Sequence, residues 1–120
     1  MWSQVLRLLF CGDRNWTDVE SIAQQIRVMH PDVIIEGEAR GADSIARGYA
    51  KGAGIPVLSF PAQWGKYGKS AGPIRNQQML DAGNPNRVIA FHHNIAKSKG
   101  TKDMVERARK AGIETMVFKE

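Results

Sequence analysis

Apolar residues in this chain gather into five short runs, and the segments between several of them repeat apolar positions every three or four residues. The runs are Val5–Cys11, Val33–Ile35, Ile55–Phe60, Arg87–Phe91 and Ile113–Phe118, all rich in Val, Ile and Phe. Short continuous runs of this kind predict strands buried on both faces. Between them, Val19, Ile22, Ile26 and Met29 fall on one helical face, as do Ala42, Ile45, Ala46, Tyr49 and Ala53, and later Met104, Val105, Ala108 and Ala111. Gly54, Gly83 and Gly112 stand where three helices end, and glycine accepts the left-handed conformation that closes a helix. Thr17 followed by Glu20 matches a capping box for the first helix. Pro73 suits the first turn of a helix starting near Gly72. The resulting order, βαβαβαβαβ, predicts one α/β domain over residues 1–120. Its parallel sheet has about five strands and helices on both faces, because parallel strands need right-handed crossovers.

Composition narrows the class. With 42% apolar and 24% charged residues, a chain of 120 residues needs neither disulfide nor metal staples to fold. The lone Cys11 excludes an internal disulfide and suits a reducing, cytoplasmic setting. No apolar run approaches the roughly 20 residues of a membrane span, and the first apolar stretch is too short and too soon interrupted for a signal peptide. Lysine and arginine number 17 against 12 acidic residues, and the net charge of +5 favours phosphate-bearing partners. Charge alone does not separate a nucleotide from a nucleic acid.

Parallel sheets bind ligands beyond the carboxyl ends of their strands, so the segments that follow each strand carry the candidate chemistry. After the first strand, Gly12, Arg14 and Trp16 lie on a strand-to-helix turn where an arginine can hold phosphate and an indole can stack a base. After the second, Glu36-Gly37-Glu38-Ala39-Arg40-Gly41-Ala42-Asp43 combines small residues with a helix start whose amides form an anion site, with Gly41 as the close-approach residue. It lacks the spacing of the Rossmann glycine fingerprint and the Lys-Ser/Thr pair of a Walker loop. Asp43 also suits the helix dipole. After the third strand comes a long stretch in which Trp64, Lys66, Tyr67, Lys69 and Arg75 mix rings with cations, and Arg75 and Asn76 stand at the mouth of the next helix. After the fourth, Gly100 and Thr101 begin the last helix among lysines, a second phosphate cradle. The pair His92-His93 invites a metal, but adjacent residues need a third ligand and His30 lies far off, so no metal or cofactor is expected.

Together the motifs CGDRNW, IIEGEARGAD, GIPVLSFPAQWGKYGKSAGPIRNQQML and GTKDMVERARKAGI resemble those of the SLOG superfamily, most of all its small YspA-like branch, from about Leu8 to Val117. The resemblance implies a Rossmann-like fold and kinship with the LOG phosphoribohydrolases, which release a base from nucleotides, and more distantly with DprA. By position, Arg75 and Met79 fall on the R-x-x-x-M helix of LOG enzymes, whose arginine is catalytic, and Gly100-Thr101 on their phosphate turn. The chain departs from that pattern at three places. His92-His93 replaces a double glycine, residues are inserted through Lys99, and Met104 stands where the catalytic glutamate belongs.

Cleaving an N-glycosidic bond needs a carboxylate beside the anomeric carbon. Without one at 104 the candidates are Glu36 above all, then Asp103, Asp43 and Glu38, alongside Arg75. The favoured expectation is binding of a nucleotide-derived ligand, a nucleoside phosphate or ADP-ribose type molecule, by a sensor or sequestering protein. A LOG-like hydrolase and a DprA-like single-strand-binding module are the alternatives. Nucleic acid is the less favoured partner, no membrane contact is expected, and a homo-oligomer is left open.

Overall fold

The computed structural model describes residues 5–119. Five strands, β1 (Arg7–Gly12), β2 (Val33–Glu36), β3 (Val57–Ser59), β4 (Arg87–Phe91) and β5 (Glu114–Phe118), form one all-parallel sheet in the order β3-β2-β1-β4-β5. The helices are α1 (Val19–Met29), α2 (Ala42–Gly52), the single turn α3 (Trp64–Tyr67), α4 (Ala71–Asp81) and α5 (Gly100–Lys110). The expected α/β fold with helices on both faces is therefore the observed one. Successive side chains of a strand point to opposite faces, and both faces here are apolar. Leu8, Phe10, Ile34, Ile89 and Phe91 pack under α1 and α2, while Leu9, Cys11, Ile35, Val88 and Ala90 pack under α4 and α5.

Local details differ from the sequence expectations. Helix α1 is capped by Asp18, whose carboxylate accepts from the Ser21 amide at 3.1 Å, so Thr17 and Glu20 do not form the capping box. Glu20 pairs instead with Arg27 along the helix surface. Gly54 and Gly112 take positive φ as expected, but beyond α4 it is Asn84 that does so, at φ 50°. Gly83 is small for another reason: a Cβ there would overlap the Met79 carbonyl and press on Ile35. Strand β3 is shorter than its apolar run, and Leu58 on this edge strand is partly exposed.

Candidate functional site at the switch point

From the central strand β1 the chain crosses first to β2 and β3 on one side, then returns to β4 and β5 on the other. The carboxyl ends of β1 and β4 therefore flank the switch point where ligands of such sheets sit. A cavity of about 330 Å³ opens there. The turn Gly12–Asn15 forms one part of its wall and Ser98–Thr101, entering α5, another. Its buried end is made by Cys11, Met79 and Met104. Gly12 brings β1 against β4 so closely that a Cβ would overlap the Phe91 carbonyl oxygen.

Asp43 and Arg75 define the chemistry of the wall. Arg75 Nη1 donates to the Gly37 carbonyl oxygen at 2.6 Å, and its Nε donates to Asn76 Oδ1 at 3.1 Å. These two bonds fix the guanidinium and leave Nη2 without a protein partner among the described residues. A Cβ on Gly37 would meet that guanidinium, so a side chain there would require Arg75 to shift. Asp43 is 4% exposed, and its Oδ2 accepts from the amides of Gly37 at 2.9 Å and Ala39 at 3.4 Å. Burial pushes its carboxyl up to about 6; Arg75 and the two amides pull it down, and the charge of Glu36 adds to the rise.

At the start of α5, Ser98 Oγ accepts from the amides of Thr101 at 3.0 Å and Lys102 at 3.4 Å. The amide of Gly100 has no such partner among the described residues, and the space where its Cβ would stand is open. Asn76 ties α4 to this turn by donating to the Gly100 carbonyl at 3.1 Å and to Asp103 Oδ2 at 3.0 Å. His92 lies on the cavity wall, its Nδ1 accepting from the Asn94 amide at 3.0 Å and its Nε2 lying 3.9 Å from Asp13 Oδ2.

The cavity thus gathers Gly12, Arg14, Ala39, Asp43, Arg75, Asn76, Gly100 and Thr101 from the sequence candidates. Gly37, Arg40 and Trp64 line a neighbouring cavity instead. Others are corrected by their surroundings. Trp16 is 2% exposed and tilts against Phe91 at 5.5 Å, while His93 stacks on it at 4.6 Å and its Nε1 donates to Asp18 and Ser21, so its ring is spent on the core. Glu36 is fully buried and does not line the cavity; it accepts from the Glu38 amide at 2.7 Å, Arg47 at 3.2 Å and the Ser59 hydroxyl, tying β2 to its neighbours. Asp103 faces outside the cavity, where Asn76 and Arg107 hold its Oδ2. Gly41 and Ala42 pack against the β1–α1 turn: the Ala42 amide donates to the Asp13 carbonyl at 3.2 Å, and a Cβ on Gly41 would overlap that same oxygen. The first amide of α2 is therefore already bonded. Tyr67, under the Lys66 ammonium at 5.1 Å, and Lys69 line neither cavity. Asp13, Asn15, Ser98 and Lys99 were missed as lining residues. Their signal was position alone, directly after β1 or before the last helix.

A five-stranded parallel sheet with helices on both faces and a polar, arginine-bearing cavity at its switch point defines a Rossmann-like domain. More narrowly, the chain belongs to the family described as YspA, cpYpsA-related SLOG (YAcAr), which matches residues 6–67, as the resemblance implied. It is 34% identical over 122 residues to the Gene 61 protein of Mycobacterium phage D29, covering 93% of this chain and 95% of that protein. The DNA processing protein A (DprA) of Streptococcus pneumoniae shares the fold with a TM-score of 0.75 at 19% identity, over 93% of this chain and 50% of that one. The chain thus spans half the length of that protein. Among the described residues no helix is long and apolar enough to cross a membrane, and no three His, Cys, Asp or Glu side chains are grouped to hold a metal ion.

Proposed function

We propose that this protein binds a nucleotide-derived small ligand, a nucleoside phosphate or ADP-ribose type molecule, in the switch-point cavity and acts as a sensor or sequestering protein. One observation carries the reading: Arg75, its plane fixed by Gly37 and Asn76, leaves Nη2 unspent beside the cavity that the start of α5 also lines. A guanidinium fork suits a phosphate oxygen pair, and the unpartnered Gly100 amide with Lys99 adds donors on the same wall. Family membership supports a nucleotide- or nucleic-acid-related role at the coarser level.

Met104 favours binding over hydrolysis. Its thioether lines the buried end of the cavity, at the position that the resemblance to LOG enzymes assigns to their glutamate, and a thioether neither stabilises an oxocarbenium ion nor activates water. In a reducing cytoplasm, the setting this reading assumes, Cys11 at the same end stays a thiol.

Calorimetry with the four common nucleoside 5′-monophosphates tests the reading. Binding of at least one is expected, and Arg75→Lys should weaken it about tenfold, or 1.4 kcal/mol, because an ammonium cannot replace the fork. Equal affinities would remove Arg75 from the site. Release of free base by the native protein, followed by chromatography, would overturn the binder in favour of a hydrolase.

A further inference from the structure

A second cavity, of about 400 Å³, adjoins the first and shares Arg14, Ala39 and Arg75 with it. Both lie at the low end of the roughly 300–1,000 Å³ that small ligands occupy, enough for a nucleoside-sized part each. The wall of the second cavity includes Trp64, which is 57% exposed. Its ring edge lies near Gly72, where an added Cβ would stand 3.5 Å from the indole, so a glycine there leaves space beside the ring. An indole on a cavity wall with more than half its surface in water offers its face to a flat aromatic group.

Charge points the same way. Arg27, Arg47, Arg87 and Arg107 are each paired with a carboxylate. Arg14 at the shared divide and Arg40 in the second cavity have no ion pair among the described residues, and only Glu38 opposes them on that cavity's wall. The divide thus carries two guanidiniums, with Asp13 and Asp43 on the inner wall, and is flanked by two hollows, one with Trp64 on its wall and one ending on buried Cys11, Met79 and Met104. A closed end takes the terminus of a molecule, not the middle of a strand.

We infer that the two cavities hold the two halves of one ligand, a pair of nucleosides joined through a pyrophosphate. Its phosphates lie on Arg14 and Arg75, one nucleoside fills the inner cavity, and the second base stacks on Trp64. The inference rests on the nucleotide reading of the inner cavity and adds the ligand's second half.

The test compares each nucleoside 5′-monophosphate with its symmetrical dinucleoside diphosphate, such as AMP with diadenosine diphosphate, by calorimetry on the full chain. The native protein should favour the dinucleotide about tenfold or more, the range of one base stacked on an aromatic ring. Trp64→Ala should bring that ratio close to one, whereas Trp64→Phe, which keeps a ring, should retain most of it. In the native protein the dinucleotide should also quench exposed tryptophan emission, and Trp64→Phe should lose the quench. Mononucleotide binding without a dinucleotide advantage, or an advantage that survives Trp64→Ala, overturns this inference alone. Failure of every nucleotide to bind overturns the nucleotide reading and this inference with it.

Discussion

At the scale of single residues the cavity is governed by what burial does to charge. Asp43 sits 4% exposed beside Arg75, and desolvation outweighs the guanidinium and the two amide bonds, lifting its carboxyl from 3.8 to about 6. A folded-state value above the unfolded one means that the native state binds this proton more tightly. The stabilisation it gives is complete below about pH 3.8 and is lost as pH rises through about 6. Asp43→Asn keeps a carbonyl oxygen for the Gly37 and Ala39 amides and removes the titration. In denaturant melts, native stability relative to this variant should therefore fall by roughly 1–3 kcal/mol between pH 4 and pH 7. Parallel curves would show that Asp43 does not titrate there. Cys11 follows the same physics more strongly: burial, then the charge of Asp43, push its thiol far above the usual range while Arg75 pulls the other way. A thiol so held has almost no thiolate to react. Ellman's reagent at pH 8 is expected to leave Cys11 untouched until the protein unfolds, and prompt labelling of the folded chain would contradict that.

Elements explain why similar glycines do different work. Gly41 takes φ 73° and abuts the Asp13 carbonyl, so a side chain there meets both strain and overlap. Gly41→Val should lower stability by at least about 2 kcal/mol, seen as a fall in Tm. Gly100 has open space at its Cβ and no positive φ, so Gly100→Ala should stay within about 1 kcal/mol of the native chain. A stable Gly41→Val protein would mean that the β1–α1 turn yields. The contrast also marks how far the sequence was legible. Strands β1, β2 and β4 could be read because residues buried on both faces leave an unbroken apolar run, and α1, α2 and α5 because each buries one stripe. Helix α4 also buries one face, Ala71, Gly72, Asn76, Met79 and Leu80, but a glycine and an asparagine interrupt its apolar pattern, so Pro73 and the family pattern had to locate it. Arg75 was legible because that pattern fixes it. Trp16 and Glu36 were not, because an indole or carboxylate after a strand looks alike whether it meets a ligand or, as here, Phe91 and His93, or Arg47 and Ser59. Those partners lie on other elements, and no local pattern announces them.

For the whole molecule, the arrangement of charge decides between a pocket and a strand-binding surface. The net charge of +5 comes from cations of which several are already neutralised across the surface: Arg27 by Glu20, Arg87 by Glu114 and Arg107 by Asp103. Those bordering the two cavities are few, namely Arg14, Arg40, Arg75 and Lys99, and they converge on one edge of the sheet. A protein that tracks single-stranded nucleic acid releases counterions at every phosphate it neutralises, and log affinity then falls with log salt by about 0.7 for each. A free nucleotide carries no condensed counterion layer, so its binding responds to salt only through screening. Between about 50 and about 300 mM salt, nucleotide affinity is therefore expected to fall with a slope no steeper than about −2. A single-stranded oligonucleotide should bind more weakly than the preferred nucleotide at the upper end of that range. Should the oligonucleotide instead bind more tightly there, with a slope of about −3 or steeper, the cations would be acting as a track along a strand, and the cavity between β1 and β4 would not be the principal site.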